Sequence, residues 1–421
     1  MSTAYLDLLD TNLQLFSAGQ ALQSPGYALL EDSEYRFGAD ARSAARLHPR
    51  QINTRYWWQL STEPLQPALG PARHTADLVH AHLLDLHRAA GSPQELVLAA
   101  SGSMQRDQLA LLLGIVQQCS FDVVGLVNRS TALGSLYGGT GRLFHLEIQL
   151  HQALLTTLNR EAGDVSVERT VPLPGCGMLQ LQERLVEIVA AAFIRQTRFD
   201  PRRKADTEQQ LYDALPQTLV ALQQQGETNL EVNGYRARIN KSDLNVAGQR
   251  LFDSTKEALG TPQGQEQIIA DPVASLLPGL GEHFQSIQVA PEDALHKALQ
   301  QHGDRLLQRE QALSFVAALP CLDPAEDTAA IAPTALEPVP VPVPVAQPTH
   351  LLRGTKAQPL VAGMAIVDGC TLARSERGWQ LQGDSAAVSV NGETGSADTM
   401  LVPGDTLSTG GKEYAVLIEV L

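Results

Sequence analysis

Apolar positions along most of this chain alternate between strand and helix spacing. Runs at residues 5–9 and 13–16 flank the polar Asp10-Thr11-Asn12 and predict a two-stranded hairpin. Residues 75–89 set Leu78, Leu83 and Leu86 on one helical face, and residues 95–100 read as a short buried strand. The alternation continues with a helix at 107–118, a strand at 122–127, a helix opening at 130–137, and strands at 143–150 and 153–159. Long helices are expected at 179–195 and 207–224, then a hairpin at 229–239 turning at Asn233-Gly234. A helix at 242–260 capped by Ser242, a strand at 267–270, and helices at 274–284 and 291–301 complete the series. Strands interleaved with helices predict the α/β class.

The pattern breaks at Glu337-Pro338-Val339-Pro340-Val341-Pro342-Val343-Pro344-Val345, where proline alternates with valine. Such a run cannot be helical and favours extended polyproline II, at about 3.1 Å per residue. It is read as a spacer over residues 324–356, with a docking site for a proline-binding module as the alternative. Beyond it, short apolar runs at 360–367, 379–381, 387–390 and 414–420 stand between glycine and Asn-Gly turns. They predict a small β-sandwich over residues 357–421.

Composition narrows the function. The formal charge is −15 over 421 residues, which argues against nucleic acid or an anionic membrane as the main partner. No apolar run reaches the roughly 18 residues of a membrane span, and the start lacks the basic and apolar regions of a signal peptide. Cys119, Cys176, Cys321 and Cys370 are far apart and form no C-x-x-C pair, so neither a zinc site nor a disulfide framework is expected. A cytoplasmic protein with reduced thiols follows.

Several motifs occur in a telling order. They are Asp7-Leu8-Leu9-Asp10-Thr11-Asn12; Phe37-Gly38-Ala39-Asp40-Ala41 with Ala45-Arg46-Leu47-His48-Pro49; and residues 96–100 followed by Gln105-Arg106. Val127-Asn128-Arg129-Ser130-Thr131-Ala132 with Tyr137-Gly138, and Pro291-Glu292-Asp293-Ala294, follow. Together they resemble D-L-G-T-T-N, G-x-x-A…P, V-x-T-V-P…Q-R, I-N-E-P-T-A-A…Y-G and D-E-A-V-A of the DnaK-type heat-shock chaperone ATPase domain. That domain belongs to the actin-like ATPase superfamily. The resemblance runs from about residue 4 to about residue 310 and implies a two-lobed actin/DnaK-like fold over residues 1–323. It also implies a nucleotide cleft in which Asp7 matches the aspartate that organises the magnesium shell.

The departures bear on activity. The first loop has Leu9 where the family has a phosphate-side glycine, and Asp10 adds a carboxylate. The second loop, D-L-G-G-G-T in the family, reads His145-Leu146-Glu147-Ile148-Gln149-Leu150. The L-G-G-x-D-F-D segment becomes Gly175-Cys176-Gly177-Met178-Leu179-Gln180, and V-G-G-S-x-R becomes Ala270-Asp271-Pro272-Val273-Ala274-Ser275. Side chains at Leu9, Ile148 and Leu150 would take the volume phosphates need, because a backbone closes on phosphate only where side chains do not block it. A carboxylate about 4 Å from a phosphate charge costs on the order of 4 kcal/mol at an effective dielectric near 20. The expected function is therefore a non-catalytic pseudo-ATPase acting as a protein-interaction scaffold, with no catalytic residue, metal or cofactor. The alternatives left open are ATP or ADP binding with magnesium through Asp7, Asp10, Thr11, Asn12 and Glu147, with or without hydrolysis.

Gly378-Trp379-Gln380-Leu381, Val390-Asn391-Gly392, Leu401-Val402-Pro403-Gly404-Asp405 and Gly410-Gly411 resemble the latter half of a forkhead-associated domain. That family binds phosphothreonine through G-R and S-x-x-H elements, which this chain lacks. The candidate loop is Ala373-Arg374-Ser375-Glu376-Arg377, where Arg374 and Ser375 would hold a phosphate if one binds. The expectation is a protein-contact module.

The remaining features carry ordinary readings. His74, His80, His82 and His87 are taken as a polar helix surface, Ser101-Gly102-Ser103 as a loop, and Arg202-Arg203-Lys204 as a solvated run. Tyr56-Trp57-Trp58 is read as core packing, with an exposed partner anchor as the alternative. Protein partners are expected; the oligomeric state stays open.

Overall fold

Tyr5, Leu6 and Asp7 begin the first sheet, and the chain arranges a second sheet in the same order. The computed structural model describes residues 3–261, 266–284, 286–310, 312–321, 348–353, 356–367, 369–375, 378–396, 400–409 and 413–418. The protein is mixed α/β and divides into two compact units, Met1–Asp327 and Thr328–Leu421.

In the first unit, Thr3–Asp7 pairs antiparallel with Leu13–Ser17, which pairs antiparallel with Gln20–Ser24. On its other side Thr3–Asp7 runs parallel to Glu95–Ala100, which runs parallel to Asp122–Asn128. The second sheet repeats this order. Gly141–Ile148 pairs antiparallel with Gln152–Glu161, that strand with Asp164–Pro174, and Gly141–Ile148 is followed on its other side by parallel Gln267–Ala270 and Ile287–Val289. Leu6, Leu98 and Leu126 lie in register across the first sheet. All are buried because helices cover both faces.

A single short segment closes both sheets. Phe315–Val316 adds in parallel beside Asp122–Asn128, and Ala318–Pro320 adds antiparallel beside Asp164–Pro174. Between them the Ala317 carbonyl accepts from Thr131 Oγ1 at 3.2 Å and from the Val167 N–H at 3.3 Å.

Helix Thr75–Ala89 buries Leu78, Leu83 and Leu86 as its spacing predicts. It also buries His82 and His87, which corrects the polar-surface expectation for this histidine group. His82 accepts or donates at Ser24 Oγ and Tyr56 Oη and receives the Trp57 indole N–H, so its ring nitrogens are satisfied inside the core. Burial lowers its pKa to about 3, which keeps it neutral. Tyr56 and Trp57 are core residues, while Trp58 remains 36% exposed.

Helices Met178–Thr197 and Ala205–Gln225 pack with the hairpin Glu227–Val232/Tyr235–Asn240 around a core of their own. Positive φ at Asn233 and Gly234 makes the tight turn that Asn-Gly favours. Two expected helices are broken. The 242–260 span divides into Lys241–Leu244, a 3₁₀ turn at Asn245–Gly248 and Gln249–Leu259, and Ser242 lies inside the first piece rather than capping it. The 274–284 span becomes a 3₁₀ turn at Pro272–Leu276 and one helical turn at Leu280–His283, interrupted by Pro278 and by Gly279 at φ 83°. The longest strand, Asp164–Pro174, alternates too irregularly in sequence to have been expected.

Among the described residues of the second unit every strand pairing is antiparallel. One sheet joins Lys356–Pro359, His350–Arg353, Glu413–Ile418, Thr406–Thr409, Ser389–Val390 and Glu393–Thr394; the other joins Ala365–Val367, Cys370–Ser375, Gly378–Gly383 and Met400–Leu401. Leu351, Leu372, Trp379, Leu381 and Leu407 form its core. Asp405 accepts from Asn391 Nδ2 and the Val402 N–H, which ties the Asn-Gly and Pro-Gly-Asp turns together. Strand His350–Arg353 falls within the span expected to be spacer and pairs on both sides, so this unit begins before residue 357. The Pro-Val run and Gly410-Gly411 lie outside the described residues.

Gly177 begins helix Met178–Thr197 against the backbone of residues 150–152. A methyl group there would stand 2.6 Å from the Leu150 carbonyl oxygen and 2.5 Å from the Gln152 nitrogen. Gly177→Ala should lower stability by about 2 kcal/mol, measured as a lower denaturant midpoint; an unchanged midpoint would contradict this packing.

Candidate functional site

The first strands of the two sheets end close together, and their hairpin turns are stitched. The Leu150 N–H donates to Asp10 Oδ1 at 2.8 Å, and Thr11 Oγ1 donates to the Ile148 carbonyl at 2.9 Å. Thus Asp10 and Thr11, expected at a nucleotide, are spent on joining one turn to the other. Asn12 follows in the same turn, its N–H donating to the Leu9 carbonyl. Ile148 is fully buried in the second sheet's core, and Leu9 and Leu150 are buried beside the cleft.

Beneath the stitch lies a buried charge cluster centred on Arg129. Asn128 caps the short helix Arg129–Gly134 by accepting from the Thr131 N–H, which places Arg129 at its first position. From there Arg129 Nε donates to Asp7 Oδ1 at 2.8 Å, and Nη1 lies 3.4 Å from Glu147 Oε2. Nη2 lies 2.6 Å from Asp271 Oδ1, which His145 Nε2 approaches at 3.4 Å. Neither of these last two contacts has hydrogen-bond alignment at the Asp271 oxygens. Glu147 is fully buried and takes further hydrogen bonds at Oε1 from Ser101 Oγ (2.6 Å) and Gln149 Nε2 (2.8 Å). His145 Nδ1 pairs with Ser130 Oγ at 2.8 Å.

Burial dominates the electrostatics. It raises Asp7 to about 6, against the pull of Arg129, and Asp10 to about 7, against the Leu150 N–H. Burial also opposes the Asp271 charge, yet Arg129 and His145 outweigh it and hold that carboxyl below the usual range. Burial opposes the guanidinium too, but its three carboxylates keep Arg129 charged.

The cluster closes one end of a cleft between the two sheets. The remaining cavity of about 300 Å³ is walled largely by Leu9, Leu150, Leu181, Leu219 and Leu277, with Arg129 at its inner end. The cation at the carboxylates is thus covalent to the chain. Among the described residues no three His, Cys, Asp or Glu side chains converge on a metal-sized point.

Asp7, Asp10, Thr11, Asn12 and Glu147 are therefore brought to one place. Arg129 and Asp271, the pair that organises it, are not among the residues the sequence points to; each is a lone charge in an otherwise small, apolar run. Ser101 lies in the expected loop, and its hydroxyl donates to Glu147. In the second unit Arg374 is exposed at the end of strand Cys370–Ser375, and Ser375 Oγ donates to the Gly378 carbonyl; Glu376 and Arg377 lie outside the described residues.

Among known proteins, no family model matches the chain and no curated protein matches it.

Two variants test the cluster. Arg129→Met leaves three buried carboxylates uncompensated and should cost about 3–5 kcal/mol; adding Asp271→Asn should recover part of the loss. A single variant as stable as wild type would refute the pairing. Asp10 carries the second test. Its folded pKa lies above the unfolded value, so its contribution is present below about pH 4 and is lost as pH rises through about 7. Asp10→Asn should therefore match wild type near pH 4 and exceed it near pH 8 by on the order of 2–4 kcal/mol. Equal stability across that range would refute the buried-acid assignment.

Proposed function

We propose that residues 1–323 form a degenerate, two-lobed actin/DnaK-like domain that no longer turns over nucleotide and serves as a protein-interaction scaffold. The repeated strand order of the two sheets supports the fold reading, since that superfamily builds each lobe on such a sheet. The observation that carries the functional reading is the direct hydrogen bonding between the two hairpin turns. In an active member of the family these turns part around the phosphates; here Asp10 and Thr11 hold them together. The Arg129 guanidinium supplies the positive charge that a metal and its phosphates would bring, without the open positions that phosphoryl transfer requires.

The second unit is proposed as a forkhead-associated-like contact module carried on the Pro-rich segment, in a cytoplasmic adaptor. No helix among the described residues is long and apolar enough to cross a bilayer.

Ligand-linked unfolding tests the proposal. A native-state ligand at ~100 times its dissociation constant stabilises by about 2.7 kcal/mol. Millimolar Mg-ATP or Mg-ADP should leave the melting temperature unchanged, and no phosphate should be released. A stabilisation that Asp7→Ala abolishes would overturn the proposal in favour of a nucleotide switch.

A further inference from the structure

A second cavity, of about 490 Å³, opens beside the Ser101-Gly102-Ser103 loop; it shares no lining residue with the apolar cleft, and its lining is of another kind. Ser101, Ser103, Gln105, Gln108, Gln149 and Gln152 supply hydroxyls and amides, and Trp57 and Trp58 supply aromatic surface. Asp10 is the only ionisable residue among the described lining residues, and its Oδ1 is taken by the Leu150 N–H. The site therefore presents no exposed charge to select an ion.

Its polar groups are held in place by one another. Gln152 Nε2 donates to Gln149 Oε1 at 2.8 Å, Gln149 Nε2 donates to Ser101 Oγ at 2.8 Å, and Ser101 donates to the buried Glu147. Gln108 Nε2 donates to the Trp58 carbonyl at 3.3 Å. An amide offers two N–H donors and two acceptor lone pairs, so the half-buried Gln108 and Gln152 and the exposed Gln105 retain capacity toward a ligand. Trp58 stacks on His151 with ring centres 5.2 Å apart and planes 14° apart, yet remains 36% exposed. An indole braced on one side and accessible elsewhere is a rigid platform for an apolar ring face.

We propose that this cavity binds a neutral sugar of one or two rings, with a pyranose face on Trp58 and its hydroxyls on the amides of Gln105, Gln108 and Gln152. The combination of an aromatic plate, multivalent neutral donors and acceptors, and absent charge selects hydroxyl-rich neutral molecules over anions, cations and aliphatic chains. The proposal does not depend on the scaffold function, because none of the residues lining this cavity lines the apolar cleft.

The test uses the full chain, with tryptophan fluorescence and saturation-transfer NMR. The probes are cellobiose, maltose and N,N′-diacetylchitobiose; glucuronate and tetraglycine serve as controls. At least one neutral disaccharide should bind saturably with a dissociation constant on the order of 1 mM. Trp58→Ala should weaken it by about tenfold or more, equivalent to ~1.4 kcal/mol. Gln152→Ala should weaken it measurably, and Arg42→Ala, which alters the lining of the apolar cleft instead, should leave it unchanged. Circular dichroism establishes that each variant is folded, and if Trp58→Ala is not, Gln152→Ala and Trp58→Phe decide. The proposal is overturned by no saturable sugar binding up to about 50 mM, by binding indifferent to these substitutions, or by saturation with tetraglycine alone.

Discussion

The first unit depends on keeping one almost wholly buried guanidinium charged. Arg129 sits among Asp7, Glu147 and Asp271, contributed by the two central strands and by the turn after Gln267–Ala270. Burying such a group costs several kcal/mol unless its partners are close and themselves supported. Support is visible in each direction: Ser101 and Gln149 hold Glu147, His145 leans on Asp271, and Ser130 holds His145. The two sheets consequently share a polar centre that neither could satisfy alone, and the stitch from Asp10 and Thr11 lies directly above it.

That arrangement fills and neutralises the ends of the two central strands. Leu9 and Leu150 are buried beside the cleft, and two hydrogen bonds join the turns that carry Asp10 and Leu150. Three carboxylates share one cation, Arg129, supplied from the start of helix Arg129–Gly134. Volume and charge at this place are thus met by the chain's own side chains.

Local order was the legible part of the sequence. Helix Thr75–Ala89 and strands Glu95–Ala100 and Gln267–Ala270 have the expected limits, since hydrophobic period alone specifies them. The helix expected at 274–284 fails because apolar spacing cannot report that Pro278-Gly279 takes a left-handed turn. Asp164–Pro174 is not legible because its charged, half-exposed residues blur the period of two. The burial of His82 is not legible because its partners, Ser24, Tyr56 and Trp57, are remote in sequence. The same limit hid the site's centre. Asp7 and Glu147 were found by motif, but Arg129 and Asp271 acquire meaning only when strands more than a hundred residues apart are brought together.

The segment Phe315–Pro320 gives the whole unit a mechanical character. It leaves one strand in each sheet within six residues, and the Cys321 N–H is fixed on the Gly163 carbonyl immediately afterwards. The chain toward the second unit departs from this point. A pull on the chain beyond Cys321 would reach the edges of both sheets together, because neighbouring residues of one segment are hydrogen-bonded to each.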